Sequence, residues 1–174
     1  MVTATVTTIG HSNHPVDKLV GLLRALGIVD LVDVRSHPSS RHCPWFDGGP
    51  LCARLREEGI SYHYMGDALG GMPSEARFYD ESGRVLYGEI AGTESFKRAL
   101  AVVAGMAGER PTAVMCSEED PASCHRSLLV GRALADAGIA VRHARGDGTT
   151  SEAQFEPLGP FEEWKSAKPV RRRR

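Results

Sequence analysis

The sequence has few of the features that would place a protein in a membrane or outside the cell. No run approaches the roughly 18 apolar residues that a membrane span requires. Residues 1–9 lack a basic stretch followed by an apolar segment, so no secretory signal is expected. Four cysteines in 174 residues are too few for a disulfide framework. These absences predict a cytoplasmic protein with reduced thiols and no membrane partner.

An excess of charge of either sign is also absent. The chain has 21 basic and 22 acidic residues, for a formal net charge of −1, so no overall field indicates a nucleic-acid partner. The exception is the run of four arginines at residues 171–174. Such a tail can add nonspecific affinity for phosphates or can simply solubilise the protein, and both interpretations stay open.

Several short motifs of common enzyme classes are missing. The chain contains no GxGxxG, GxxxxGK[ST], HExxH, GxSxG or CxxC. Dinucleotide binding, P-loop chemistry, zinc proteolysis and the serine nucleophile elbow therefore lack motif support. The sequence names no cofactor.

Short β-branched segments alternate with amphipathic ones along the chain. Strands are predicted over residues 5–9, 28–34, 60–65, 112–115 and 139–143, and helices after Pro15 and over residues 51–58, 94–106 and 122–137. This alternation favours a single three-layer α/β domain over residues 1–146, with a mostly parallel sheet and helices on both faces. Residues 147–174 are predicted to be an irregular C-terminal segment with a basic tail. Residues 66–87 form a long, glycine-rich loop, typical of a lid or binding segment.

Chemically active side chains follow three of the predicted strands. His11 and Ser12 follow the first strand, Asp33 and Arg35 lie at the end of the second, and Cys116 follows the fourth. Ligand sites in parallel sheets lie at the carboxyl ends of the strands. We therefore expect these residues, far apart in sequence, to meet at one edge of the sheet.

The densest group of reactive side chains is the segment MCSEEDPASCHR, residues 115–126. A thiol near a helix N-terminus or beside a cation has a lowered pKa, so Cys116 or Cys124 can be a nucleophilic thiolate. His125 then suits a general base. Burial of Cys116 as a small hydrophobic side chain is the alternative. The catalytic candidates are Cys116, Cys124, His125, Glu118 and His11.

A second set of side chains offers hydrogen-bond donors to an anion. The planar guanidinium groups of arginine bind carboxylate or phosphate through two parallel bonds, and Asp33 can fix Arg35 in position. For the loop around Arg35, a simple network of salt bridges is the alternative. For Arg126 the alternative is an ion pair with Glu118 or Asp33, and Ser12 can merely cap the first helix. The candidate binding residues are Ser12, Asp33, Arg35, Ser40, Arg41 and Arg126.

Metal binding is a further possibility for the cysteine-rich segment. Cys116, Cys124, His125 and His11 include ligand types that suit zinc or iron. The C-x7-C-H spacing is not a standard paired-ligand pattern, so no residue is assigned to a metal. A metal-binding or redox-sensing protein remains an alternative.

These segments resemble a known family, the one numbered 488 among the domains of unknown function. The matching segments are TIGHS at 8–12, LVDVR at 31–35, PSSR at 38–41, LGG at 69–71 and MCSEEDPASCHR at 115–126. The resemblance covers about residues 5–145 and implies a small α/β domain with its site on these motifs. It implies no particular reaction. The chain departs from the family pattern at HCPWF, residues 42–46, and after Asp147.

The sequence therefore favours an enzyme, a hydrolase or group transferase, that acts on a small anionic molecule such as a nucleotide- or nucleoside-like compound. One alternative is a nucleic-acid-binding module that uses the same arginines and the basic tail, and another is the metal or redox protein. Residues 66–87 can close over a ligand or form a dimer interface, and the sequence does not choose between them.

Overall fold

Five short segments, four of them largely apolar or β-branched, form the parallel part of one six-stranded sheet. The structure, a computed structural model, describes residues 4–156 and 163–170. The strands lie in the order β3-β2-β4-β1-β5-β6. The first five pair in parallel, and β6 is antiparallel to β5. Their bounds are β1 Thr5–Gly10, β2 Asp30–Asp33, β3 Ser61–Tyr64, β4 Thr112–Cys116, β5 Ala140–Ala144 and β6 Thr150–Glu152. The predicted α/β class with a mostly parallel sheet is confirmed.

The amphipathic segments between the strands form helices, and Thr93 caps the longest of them by accepting a hydrogen bond from Phe96 N. None of the described helices has the length and hydrophobicity that a membrane span needs. The helices are α1 Val16–Ala25, α2 Gly48–Glu57, α3 Gly66–Leu69, α4 Tyr87–Ala91, α5 Glu94–Glu109 and α6 Arg132–Asp136.

The sheet separates two hydrophobic cores. Leu31 of β2 packs in a cluster with residues of α1 and α2, whereas its neighbour Val32 packs in a cluster with residues of α5 and α6. Ala113 and Val114 of β4 alternate in the same way. Successive side chains of a strand point to opposite faces, so both faces of the central strands are covered.

The two central strands meet at a switch point of the topology. The connection from β1 through α1 leads to β2 on one side, and the connection from β4 leads to β5 on the other. Backbone bonds join the loops that follow: His11 N donates to Cys116 O at 2.9 Å and Ser12 N to Ser117 O at 2.8 Å. Gly10 permits this approach, because a Cβ atom there would lie 1.8 Å from Glu118 O. Ligands of open α/β sheets bind at such a point.

The single α-helix predicted over residues 122–137 is wrong. The segment forms a three-ten turn at Pro121–Ser123, a π-helix at Arg126–Gly131 and then α6. Trp164 Nε1 donates to Leu128 O at 2.6 Å. Arg132 N, the usual α-helical donor to Leu128 O, instead reaches Ser127 O, five residues back. The hydrogen bond from Trp164 to Leu128 O thus occurs where the helix widens into a π-helical turn.

Two regions predicted to be irregular contain regular elements. Residues 66–87 include α3 and a three-ten turn at Ala76–Phe78, and residues 147–174 include β6. Residues 163–170, which we term the C-terminal strap, lie beside the chain near Val85. Ser166 N donates to Val85 O at 2.9 Å, and Val170 N donates to Gly83 O at 2.8 Å. The arginines predicted as a tail at residues 171–174 lie outside the described residues.

Candidate functional site

A cavity of about 620 Å³ opens at the edge of the sheet where β1, β2 and β4 end. Its position follows from the topology, because the switch point between β1 and β4 forms its floor. Seven of the residues predicted from the sequence line it: His11, Ser12, Arg35, Ser40, Cys116, Glu118 and His125. The structure therefore brings together residues that are up to 114 positions apart in the chain, between His11 and His125.

The closest reactive pair in the cavity is Cys116 and His125. Cys116 Sγ lies 3.5 Å from His125 Nδ1, and His125 Nε2 lies 2.8 Å from Val34 O. A carbonyl oxygen only accepts, so Nε2 carries a proton and Nδ1 is left to exchange one with the sulfur. The backbone of Gly71 covers the ring, since a Cβ atom there would lie 2.5 Å from His125 Cγ.

The surroundings of this pair favour a charged thiolate. A hydrogen bond from the Cys124 thiol and the positive charge of His125 lower the pKa of Cys116 well below its usual value, although burial opposes this. The same hydrogen bond, together with burial, raises the pKa of Cys124. Burial also opposes the charge on His125, but the Cys116 thiolate and the bond to Val34 O raise its pKa. Cys116 is thus the better nucleophile, with Cys124 as its donor.

Glu118, in the loop that follows β4, lines the same cavity. Burial and the negative charge of Cys116 raise the pKa of its carboxyl group. Ser123 Oγ, 3.5 Å from Glu118 Oε2, partly offsets this. A carboxyl group that holds its proton more tightly is better suited to general acid catalysis near neutral pH.

His11 and Arg35 line the cavity, but their side chains form hydrogen bonds with other groups of the protein. Arg35 binds both carboxylate oxygens of buried Asp33, at 2.9 and 3.1 Å through Nε and at 2.6 Å through one terminal nitrogen, and also Phe46 O. Its other terminal nitrogen lies 3.1 Å from His11 Nε2. His11 Nδ1 lies 2.7 Å from Ser12 O and therefore donates to it. His11 is neutral, since burial lowers its pKa, and neither nitrogen is left for substrate.

Two of the arginines predicted to bind an anion are placed elsewhere. Arg126 is fully buried, and its guanidinium group donates to the carbonyl oxygens of Glu118 and Glu119. These hydrogen bonds hold the loop after β4 in place, and Arg126 does not line the cavity. Arg41 is exposed and also lies outside the cavity lining. The prediction that Arg126 clamps an anion is therefore corrected, because its charge is used to satisfy main-chain oxygens.

The same cysteine-rich segment contains a potential set of metal ligands. The side-chain donor atoms of Cys116, Cys124 and His125 all lie within 4.8 Å of one another. Histidine ligands of metals commonly donate their second ring nitrogen to a carbonyl, as His125 does to Val34 O. Two cysteines and one histidine with an adjoining cavity match the donor set of some catalytic zinc sites.

Sequence reasoning missed one whole wall of the cavity. Tyr87 at the start of α4 lines it, and so do strap residues Ser166, Ala167, Lys168, Pro169 and Val170. The unusual length of the loop over residues 66–87 indicated a binding segment, and that segment contains both Tyr87 and Gly71. No local signal identifies the strap, because its contacts join residues about 80 positions apart, such as Ser166 and Val85.

The comparison with protein families agrees with the resemblance seen in the motifs. A family model described as "Domain of unknown function DUF488" matches residues 15–133, more than half of the chain. No curated protein and no solved structure shows a significant match. The matched range includes Arg35, Cys116 and His125, but it ends before the strap. The chain therefore belongs to the DUF488 family.

Proposed function

We propose that the protein is a thiol-dependent enzyme, a hydrolase or group transferase, that acts on a small anionic molecule of nucleotide-like or nucleoside-like size. The observation that supports this most is the Cys116–His125 pair on the cavity lining, with Sγ and Nδ1 3.5 Å apart. A cavity of about 620 Å³ lies within the range of about 300–1,000 Å³ that small-molecule sites occupy.

The reaction proceeds in two steps. The Cys116 thiolate attacks the electrophilic atom of the group to be transferred, a bond from sulfur to that atom forms, and the bond to the leaving group breaks. The leaving group takes its proton from the imidazolium of His125. Water or an acceptor hydroxyl then gives a proton back to His125 and attacks the same atom, and the sulfur leaves as thiolate.

Two residues keep the pair ready for the first step. The hydrogen bond from Cys124 stabilises the negative sulfur, and the carbonyl of Val34 fixes the ring of His125. Mutual stabilisation of a thiolate and an imidazolium is a common way to activate a cysteine nucleophile. All four cysteines are unpaired, so the activity suits a reducing compartment such as the cytoplasm.

The experiment that tests this function is a screen of nucleotides, nucleosides and other small anions against the wild-type protein and Cys116→Ser. Intact-mass spectrometry detects a covalent adduct, and product formation reports turnover. We expect an adduct on Cys116 and a loss of turnover of at least about a thousandfold in Cys116→Ser. Cys52→Ser, a partly exposed cysteine of α2, serves as the matched control and keeps its turnover. Equal turnover in Cys116→Ser and wild type would refute the thiol mechanism.

A second candidate function is transition-metal binding by Cys116, Cys124 and His125, which the convergence of their donor atoms within 4.8 Å favours. In that case both sulfurs are ligands, and the position facing the cavity is left for water or substrate. Elemental analysis of protein purified without chelator separates the two candidates. Stoichiometric zinc or iron supports the metal site, whereas metal-free protein with a readily alkylated Cys116 supports the thiol enzyme.

A further inference from the structure

The cavity needs a cation for an anionic substrate, and the arginines do not supply one. Arg35 is neutralised by Asp33, and Arg126 is buried against main-chain oxygens. Among the described residues that line the cavity, Lys168 of the strap is the other side chain with a permanent positive charge. Lys168 is exposed, and no acidic side chain of the described residues pairs with it. Its ammonium group is therefore available to a ligand.

Tyr87 provides a second available donor on the same wall. The residue is 3% exposed and lines the cavity, and its hydroxyl group forms no hydrogen bond with any described residue. Buried tyrosine hydroxyls normally find a partner, so this one is arranged for a group that enters the cavity. Burial raises the pKa of Tyr87, as do the nearby charges of Cys124 and Cys116, so the hydroxyl stays protonated and donates.

The main chain joins these two residues. Gly88, next to Tyr87, donates its N–H to Trp164 O at 3.1 Å, and Ser166 Oγ accepts from Val85 N at 2.9 Å and donates to Lys168 O at 2.7 Å. These bonds fix the start of α4 and the strap against each other. The backbone that carries Tyr87 and Lys168 is therefore fixed at the side of the cavity.

We propose that Tyr87 and Lys168 form an anion subsite that binds the phosphate or carboxylate group of the substrate. Binding at this subsite does not depend on the proposed thiol mechanism; only its role in orienting a substrate for reaction rests on the proposed function. An ammonium group and a protonated phenol suit oxygen anions, because charge-assisted bonds of this kind are the stronger ones. A group bound there stands in the same cavity as Cys116, so the subsite orients the substrate for attack.

Equilibrium binding of inorganic phosphate to the full chain tests the subsite directly. Isothermal titration calorimetry is run on wild type, Lys168→Ala and Tyr87→Phe at one low salt concentration, with acetate as a second probe. We expect each variant to weaken phosphate binding by about tenfold, the usual effect of losing one charge-assisted or buried hydrogen bond. Tighter binding of acetate than of phosphate identifies the carboxylate as the natural group.

Two control variants match the changes in charge and in hydroxyl group. Lys97→Ala removes an exposed lysine of α5, and Tyr64→Phe removes a hydroxyl at the end of β3; neither residue lines the cavity. Both are expected to bind phosphate as wild type does. Circular dichroism confirms that every variant is folded. Undiminished binding in Lys168→Ala and Tyr87→Phe, or failure of wild type to bind either probe, overturns the proposal.

This design distinguishes a failure of the subsite from a failure of the thiol mechanism. Cys116→Ser keeps the subsite and removes the nearby negative charge of the thiolate, so it is expected to bind phosphate at least as tightly as wild type. If Cys116→Ser also keeps full turnover while Lys168→Ala loses phosphate, the thiol mechanism is wrong and the subsite stands. If only the phosphate results are negative, the subsite is wrong and the thiol mechanism stands.

Discussion

The two walls of the cavity differ in how their polar groups are satisfied. In the sheet wall, by which we mean His11, Arg35 and His125 together with the buried Asp33 that pairs with Arg35, the side chains all form hydrogen bonds within the protein. In the strap wall, the Tyr87 hydroxyl and the Lys168 ammonium have no partner among the described residues. Side chains whose hydrogen bonds are satisfied within the protein hold one geometry, and side chains with open donors can bind a ligand. We infer that the first wall activates the thiol and the second receives the substrate.

The largest effect on stability is expected from Asp33→Asn in the sheet wall. Asp33 is 0% exposed and Arg35 is 5% exposed, so the substitution leaves a buried guanidinium group without its counter-charge. We expect a loss of about 3–5 kcal/mol in the free energy of unfolding, measured in urea. Asp17→Asn is the matched control: its ion pair with Arg54 is exposed, and its loss should cost about 1 kcal/mol or less. Equal effects of the two substitutions would contradict the claim that the Asp33–Arg35 pair depends on its buried counter-charge.

Gly71→Ala is expected to change the reactivity of Cys116 indirectly, through His125. The new Cβ atom would lie 2.5 Å from His125 Cγ, so the ring or the loop must move. We expect a loss of about 1–3 kcal/mol in unfolding free energy and slower alkylation of Cys116. Gly21→Ala in α1 has no atom within 4 Å of the new Cβ and should be neutral or slightly stabilising. Alkylation at the wild-type rate in Gly71→Ala would contradict the contact.

Acid should destabilise the fold through histidines that are buried in the neutral form. Burial lowers the pKa of His11 and of His143, whose ring nitrogen lies 2.7 Å from Thr8 Oγ1. The unfolded chain binds protons below its histidine pKa of about 6.5, so the unfolding free energy falls as the pH drops through that value. The raised pKa of His125 opposes this trend, and its stabilising contribution is lost as the pH rises.

Urea titrations between pH 5 and 8 measure the sum of these effects. His143→Gln removes one contribution, so its stability should depend less steeply on pH than that of wild type. An equal or steeper dependence in the variant would show that His143 is not held neutral.

The smallest effect is expected in the strap wall. Lys168→Ala and Tyr87→Phe remove groups that have no protein partner among the described residues, so each should change the unfolding free energy by about 0.5 kcal/mol or less. Their effect should be confined to ligand binding. A loss comparable to that of Asp33→Asn would mean that these groups support the fold and that the two walls are alike.

The sequence predicted the parallel sheet and the meeting of its site residues because both depend on local periodicity and on one rule of topology. The strands and the position of Cys116 at the end of β4 follow from short apolar or β-branched segments. The role of Arg126 did not follow, because an arginine that binds an anion and one that binds main-chain oxygens look the same in sequence. The strap was missed for another reason: its hydrogen bonds, such as Ser166 to Val85, are long-range.

The family match covers only part of each wall, since His11 of the sheet wall and Lys168 of the strap wall lie outside it. The matched range, residues 15–133, covers Arg35 and His125 of the sheet wall, and Cys116 and Tyr87 as well. Lys168 lies beyond it. The thiol centre is therefore in the part of the chain that defines the family, and the proposed cation of the subsite is in the part that does not.

The most direct test of the central claim is the pH dependence of iodoacetamide alkylation at Cys116, followed by peptide mapping, in wild type and His125→Gln. Cys52, partly exposed and outside the cavity, serves as an internal reference in the same digests. We predict a midpoint for Cys116 clearly below the ordinary thiol value of about 8.5, which moves upward in His125→Gln. A midpoint at or above that value in wild type, unchanged by His125→Gln, would contradict the account.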